Sequence, residues 1–369
     1  MNQLFRWNQM GLFLLALAAG ILPFAVPEVC AAALQEGLTL CSGPLLLSLF
    51  PFLVVSRLLI QCPESDLLAL PFRLAAWGIG IRTPCAARVL CIGFLGGFAP
   101  AASAAAQAVR TGQLTVEEAD ALLPACICSG PSFVVLTVGQ SLLGSAELGV
   151  LLFASQITAN YLTAALLNRF AGVRSVKPES AAPASPAPPR LDEILADAAI
   201  TYCKLCGFIL FFRMLAAGAG ALLPAGAGTL CAVLLEVCSG CDLASRTGRW
   251  GSLLCCAALS VQGLSVLLQV RTICPPEITL RPLYRSRLLH LPLSLALFYL
   301  LLPGGEVDVF STLPARVLLM RRVPPDCALL VFAVCCMAAC TLRSGIRQVE
   351  QKQMARNAGG CCINSKTLL

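Results

Sequence analysis

Seven long apolar runs, at 11–27, 45–60, 142–167, 205–223, 251–270, 288–302 and 327–342, limit what this chain can fold into more than any other feature. Several approach the roughly 20 residues that an α-helix needs to cross a bilayer's hydrocarbon. Strict alternation of apolar and polar residues is absent, which argues against an outer-membrane barrel. Stacking the runs inside a water-soluble domain is excluded by composition. The 369 residues are 58% hydrophobic and 12% charged, with a mean hydropathy of +0.82, whereas a soluble domain carries about 25% charged residues to wet its surface. The fold class that follows is all-α, a polytopic helical membrane protein.

Arg6 precedes the first run, as in a secretory signal. The run is long for a signal's apolar region, and Pro27-Glu28 interrupts the approach to Ala31-Ala32-Ala33. The expectation is a retained N-terminal transmembrane helix over 1–37, with a cleaved signal as the alternative. The 21 cysteines invite a metal or disulfide reading. Many lie inside apolar runs, where Cys behaves as a small hydrophobe. The closest approaches to zinc spacing are Cys203/Cys206 and Cys238/Cys241, and the chain has a single histidine, His290. No metal and no cofactor is expected.

Residues 171–190 are rich in Pro, Ala and Ser and read as a linker between two membrane halves, 38–170 and 191–302. A loop and last helix over 303–342 and a basic tail over 343–369 follow. Arg343, Arg347, Lys352, Arg356 and Lys366 place that tail in the cytoplasm by the positive-inside rule, and Arg169, Arg174, Lys177 and Arg190 do the same for the linker. The tail's positive charge also suits anionic lipid. Simple full spans counted forward from the linker put Arg271, Arg281, Arg285 and Arg287 outside, whereas counting back from the tail puts them inside. One segment must therefore be re-entrant or half-length, which is permitted only where protein or a cavity buries it.

The halves resemble each other weakly. Residues 48–59 align with 204–215 on Leu, Phe, Arg and a final Leu, and 129–135 align with 262–268. Gly/Pro-interrupted segments in two halves are the sequence pointer to a repeat-built transporter whose site lies at the breaks. The first break holds Gly93, Gly96, Gly97 and Pro100, followed by Ser103; the second is Ser129-Gly130-Pro131-Ser132. Pro131 removes a backbone donor, and a helix starting there would offer free N–H groups to an anionic or carbonyl group. Small-residue packing at the first break and a plain Pro kink at the second are the other readings. In the second half Glu236 is an acid in an apolar run, expensive unless it faces a cavity or an interface. Gln262 and Gln269 would share a face of an unbroken helix around Gly263 and Ser265, as Gln156 and Asn160 do four residues apart. Thr115 to Glu118 is a capping box. There is no Walker A sequence and no His-Glu-x-x-His, and His290 reads as structural, so no enzyme is expected.

These residues resemble the sporulation integral membrane proteins that carry the nucleoside-recognition (Gate) domain, over about residues 38–300. The resemblance lies in Leu49-Phe50-Pro51-Phe52, residues 115–122, Ser129-Gly130-Pro131-Ser132-Phe133, Gly207-Phe208-Ile209, Leu235-Glu236 with Gly240, Gly263-Leu264-Ser265 with Gln269, and Arg281-Pro282 with Arg287 and His290. Where that family has Gly-aromatic-Pro-x-Gly-Ala-Lys, this chain has Gly97-Phe98-Ala99-Pro100-Ala101-Ala102-Ser103. Its Asn positions before the Ser-Gly-Pro are Ile127 and Cys128, and its His after the Gly-Leu-Ser is Leu267. The resemblance implies a multi-pass protein of the forespore or mother-cell membrane. It would carry a small solute, nucleoside-like or other, between two halves with inverted-repeat topology. A non-transporting scaffold or assembly protein for sporulation is the alternative. The partners expected are membrane lipid and a small-molecule solute, with a homo-oligomer left open and no nucleic acid. The solute site would comprise Gly97, Ser103, Ser129, Gly130, Pro131, Ser132, Glu236, Gln262, Gly263, Ser265 and Gln269.

Overall fold

A computed structural model describes residues 2–61, 67–172 and 190–302, and every regular element among them is helical. Most of the linker, the last apolar run and the basic tail lie outside these residues. The N-terminal stretch is two helices, α1 (Asn2–Ala25) and α2 (Pro27–Ser42), bent by 110° at Val26. Proline suits the first position of α2 because its missing N–H has no intrahelical partner there in any case. After Gly43 the chain continues as α3 (Pro44–Gln61). The first half then runs through α4 (Leu70–Gly78), α5 (Pro84–Gly96), α6 (Phe98–Arg110), α7 (Val116–Cys126), a π-helix π1 (Ser132–Leu142) and α8 (Ala146–Ala171). The second half comprises α9 (Leu191–Leu222), α10 (Ala225–Leu235), α11 (Val237–Ser245), α12 (Gly251–Val261), α13 (Gly263–Ile273) and α14 (Arg281–Leu301). Three helical stretches among the described residues are long and apolar enough to cross a bilayer unaided: Ala146–Ala171, Leu191–Leu222 and Gly248–Ile273. The chain is an all-α, multi-pass membrane protein.

Each half is built from the same parts. α5 and α6 form a hairpin that turns at Gly97, since a methyl placed on Gly93 would lie 3.3 Å from Cβ of Ala101 across the turn. α10 and α11 form another that turns at Glu236, where a methyl on Gly240 would lie 2.8 Å from Cα of Val233. Each hairpin is followed by a span broken in the middle, α7/π1 or α12/α13, and then by one long helix, α8 or α14. α9 precedes the second hairpin, and α2 with α3 runs antiparallel to it. Three contacts in order along the pair fix that direction: Glu36 to Arg213 at 2.6 Å, the Tyr202 hydroxyl to the Cys41 carbonyl, and Arg57 to Asp197 at 2.6 Å. The first hairpin enters from the side where the linker joins α8 to α9, and the second enters from the opposite side. The halves are therefore inverted.

This arrangement resolves the charge conflict in the sequence. Because α10/α11 leaves on the side it entered, only α9 and α12/α13 cross between the linker and the Arg271–Arg287 cluster. Arg271, Arg281 and Arg285 fall on the linker side, whereas Arg287 is buried along α14 and donates to Asn160.

Helix ends on the linker side are closed by side chains. The Thr115–Glu118 box is formed, with Glu118 N–H donating to Thr115 Oγ1 at 3.1 Å and Thr115 N–H to Glu118 Oε2 at 3.2 Å. Arg88 donates to the carbonyls of Leu59 and Ile60 at the end of α3, where a cation also favours the helix dipole. Asp120 on α7 accepts from Thr279 N–H, Thr279 Oγ1 and Leu280 N–H at 3.0, 2.7 and 2.8 Å, tying the start of α14 to the first half.

Packing sorts the helices into two bodies. One large buried cluster draws on α4 to α8 and α10 to α14, with Ile60 at the end of α3 reaching into it, and α9 is absent from it. Two smaller clusters join α1, α2, α3 and α9, with Ala99 of α6 buried in one and Leu235 and Leu268 packed against the other. The first body is termed the core and the second the frame. Lipid supplies no hydrophobic drive for helices to associate, so close backbone approach must hold the core together. α6 illustrates this, with Ala99, Ala101, Ala102, Ala104, Ala105, Ala106 and Ala108 all buried.

Candidate functional site

The four breaks meet in two backbone crossings. At the first, the hairpin tip passes the broken span: a methyl on Gly97 would lie 2.6 Å from N of Gly130. Gly97 has φ +82° and ψ −163°, which a side chain resists. α7 gives way to extended backbone at Ile127, and the chain becomes helical again at Ser132 with Pro131 as its N-cap. The carbonyl of Ile127 accepts from Asn160 Nδ2 at 3.3 Å, and Asn160 Oδ1 accepts from Arg287 Nη2 at 3.2 Å. As at any helix start, the first N–H groups of π1 have no partner within it.

At the second crossing, a methyl on Gly263 would lie 2.9 Å from N of Glu236. Gln262 and Gly263 both take left-handed backbone, at φ +63° and +67°. Glu236 is extended between α10 and α11 and 1% exposed. Its two carboxylate oxygens accept from the N–H groups of Cys238 and Ser239, at 2.9 and 2.7 Å. A carboxylate at the positive end of a helix, bonded twice to backbone, offsets much of its burial cost. Asp242 is engaged with Arg246 instead, at 3.0 Å.

Between core and frame these crossings border a cleft that encloses a cavity of about 40 Å³. The frame supplies an apolar wall of Leu45, Leu49 and Ile209. Opposite stand Gly96, Phe98, Ser129, Gly130, Ser132 and Phe133 from the first half, with Glu236, Val237, Cys238, Val266 and Gln269 from the second. The lining holds one acid and no basic side chain. Gln269 is 1% exposed and donates through Nε2 to Ser265 Oγ at 2.8 Å, while its Oε1 has no partner among the described residues. Such an orphaned acceptor in a concave, mainly apolar site is what a bound polar solute satisfies.

The sequence-predicted residues divide accordingly. Ser129, Gly130, Ser132, Glu236 and Gln269 line the cleft, and Pro131 opens the helix beside it. Gly97 and Gly263 stand one layer behind, as the contacts that let the segments cross, and Ser265 holds Gln269. Ser103 is buried within the second arm of the first hairpin, two helical turns from the tip, and lies outside the cleft lining. Gln262 does not share a helix face with Gln269, because the helix is broken at Gln262. It is 1% exposed, neither of its amide atoms has a partner among the described residues, and it is outside the lining. Gln156 and Asn160 do share a face and join helices: Gln156 Nε2 donates to Cys256 O and Ser260 Oγ at 3.2 and 3.0 Å. His290 is fully buried, with Nε2 against the Gln156 carbonyl at 3.2 Å.

Sequence reasoning missed Phe98, Phe133, Cys238, Val266 and the frame wall. Leu49 and Ile209 fall inside the aligned segments at 48–59 and 204–215, so the repeat marked the right helices. An apolar residue facing a cleft cannot be told from one facing lipid by type alone. Comparison of the chain with models of protein families, with curated proteins and with solved structures finds no match.

Proposed function

We propose that this chain carries a small solute across its membrane and that the solute binds in the cleft between core and frame. The observation that carries the proposal is the convergence of all four helix breaks, from two inverted halves, on that one space. Broken helices at mid-membrane free backbone dipoles for a ligand, and irregular backbone is tolerated there only where protein or a cavity covers it. The smooth wall of Leu45, Leu49 and Ile209 offers a solute no polar hold, so specificity rests with the core, and relative movement of core and frame would expose the cleft to either side. The resemblance to sporulation proteins of the Gate-domain type supports a role in spore formation, in a forespore or mother-cell membrane. Phe98 and Phe133, two rings beside Ser129, Ser132 and Gln269, suit a flat solute with polar edges, a nucleoside-like one included. The loss of the family's Lys, Asn and His positions at the breaks favours the scaffold alternative. Solute profiles of vesicles or spores with and without the gene separate the two, since a scaffold leaves them alike.

The linker side carries Arg57, Arg82, Arg88, Arg110, Arg169, Arg271, Arg281 and Arg285, which supports its assignment to the cytoplasm. By the same count the tail after Arg343, outside the described residues, is cytoplasmic if the 327–342 run spans. A protease site placed near residue 180 is then expected to be cut from the cytoplasmic side only, with the two halves remaining associated, because their contacts run through packed helices. Cleavage from the other side alone would invert the orientation. An immunoblot of sealed vesicles of each orientation reads the result.

A further inference from the structure

The polar groups of the cleft are sorted by sign. On the side of the second break they are acceptors, the Glu236 carboxylate and Gln269 Oε1. A carboxylate offers about four lone-pair sites. The N–H groups of Cys238 and Ser239 take one on each Glu236 oxygen, and the Gln269 oxygen has no partner among the described residues. On the side of the first break stand the hydroxyls of Ser129 and Ser132 and the N–H groups that open π1. Behind them lies Arg287 on α14, 8% exposed. Its Nη2 donates to Asn160 Oδ1, and Asn160 Nδ2 donates to the Ile127 carbonyl, so two hydrogen bonds join the guanidinium to the break. Its Nε and Nη1 have no partner, and no carboxylate pairs with it among the described residues. A buried cation is costly unless an opposite charge meets it, and in a low-dielectric interior its field reaches well beyond contact. The first break is therefore positive and the second negative, across one small space.

We propose that the solute is a small zwitterion of the amino-acid type, its carboxylate at the first break and its ammonium group on Glu236 and Gln269. The carboxylate takes the serine hydroxyls and the start of π1, with Arg287 one layer behind as the fixed countercharge. The ammonium group takes the open lone pairs of Glu236 and the free oxygen of Gln269. Leu45, Leu49 and Ile209 hold neither pole, and a cavity of about 40 Å³, room for about three waters, suits a short separation of charge. The proposal rests on the cleft as the solute's site, but binding is measurable without transport.

The test is the melting temperature of the full chain in detergent, titrated with the common α-amino acids, β-alanine and γ-aminobutyrate. Each is compared with its amide, which keeps only the ammonium group, and with its des-amino acid, which keeps only the carboxylate. At least one free amino acid is expected to bind about tenfold or more tighter than both of its singly charged forms, since each form leaves one pole unmet. Glu236→Gln should erase the preference over the des-amino acid and keep the preference over the amide. Asn160→Asp places a carboxylate against Arg287 and should do the reverse. Such a switch in charge preference is not produced by a merely loosened fold. The proposal is overturned if no amino acid shifts the melting temperature. It is equally overturned if a singly charged form or an uncharged nucleoside binds as well, or if Glu236→Gln leaves both preferences intact. A chain that binds the zwitterion but carries nothing would show this pattern and leave the vesicle profiles alike, so the two failures are distinct.

Discussion

Gly97→Val should leave little folded protein in the membrane. The substitution adds two costs at one point, and both come from the crossing of the first hairpin with the α7/π1 break. A side chain at φ +82° is strained, and its first carbon would sit 2.6 Å from N and 2.9 Å from Cα of Gly130, backbone that cannot rotate away. Strained backbone and overpacking each cost about 1–3 kcal/mol. Their sum is a large share of a marginal stability of roughly 5–15 kcal/mol. Gly112 provides the control, because it has φ +69° with nothing within 4 Å of a built Cβ. Gly112→Ala should therefore lose only the conformational part, about 1 kcal/mol. Thermal melting in detergent of the two variants, with membrane accumulation as a second readout, checks the difference. Equal effects at the two positions would show that conformation alone matters and that the crossing is not tight.

Replacing Glu236 separates its two roles. Glu236→Ala removes both acceptors from the Cys238 and Ser239 N–H groups in a buried helix start. It should cost roughly 2–3 kcal/mol, as loss of a charged cap does. Glu236→Gln keeps one oxygen in place, so the hairpin should form with a loss of about 1 kcal/mol while the charge facing the cleft is gone. Solute movement should then fall by at least about tenfold although the protein accumulates normally. If the Gln variant is as poorly folded as the Ala variant, the carboxylate is a structural cap and its place on the cleft is incidental.

Much of the architecture was legible because lipid imposes hard length rules. The runs at 142–167, 205–223 and 251–270 each hold a helical span, and Ser129-Gly130-Pro131-Ser132 announced a real break. The boundaries inside those runs were not legible. Residues 142–167 include the turn at Leu143 to Ser145, and 251–270 crosses the left-handed Gln262, because Leu and Val continue through both. The hairpin at Glu236 was masked by its apolar flanks, and only the conflict among arginines signalled that something near it was re-entrant. Glu236 stands out in the sequence for its charge, but its bond to two backbone N–H groups depends on a turn the sequence does not announce. Ser103 was chosen for its polarity close to a break, and the helical rise then carries it two turns away.

The central claim, that the converging breaks form a solute site, is tested most directly by profiling small solutes in sealed vesicles. Vesicles bearing the wild-type chain are compared with vesicles lacking it and with those bearing Gln269→Leu or Ser132→Ala. At least one solute should accumulate or be lost only where the wild-type chain is present. That difference should drop about tenfold in Gln269→Leu, which leaves Ser265 without its partner and the cleft without its free carbonyl oxygen. Identical profiles with and without the chain, at equal protein content, would contradict the account.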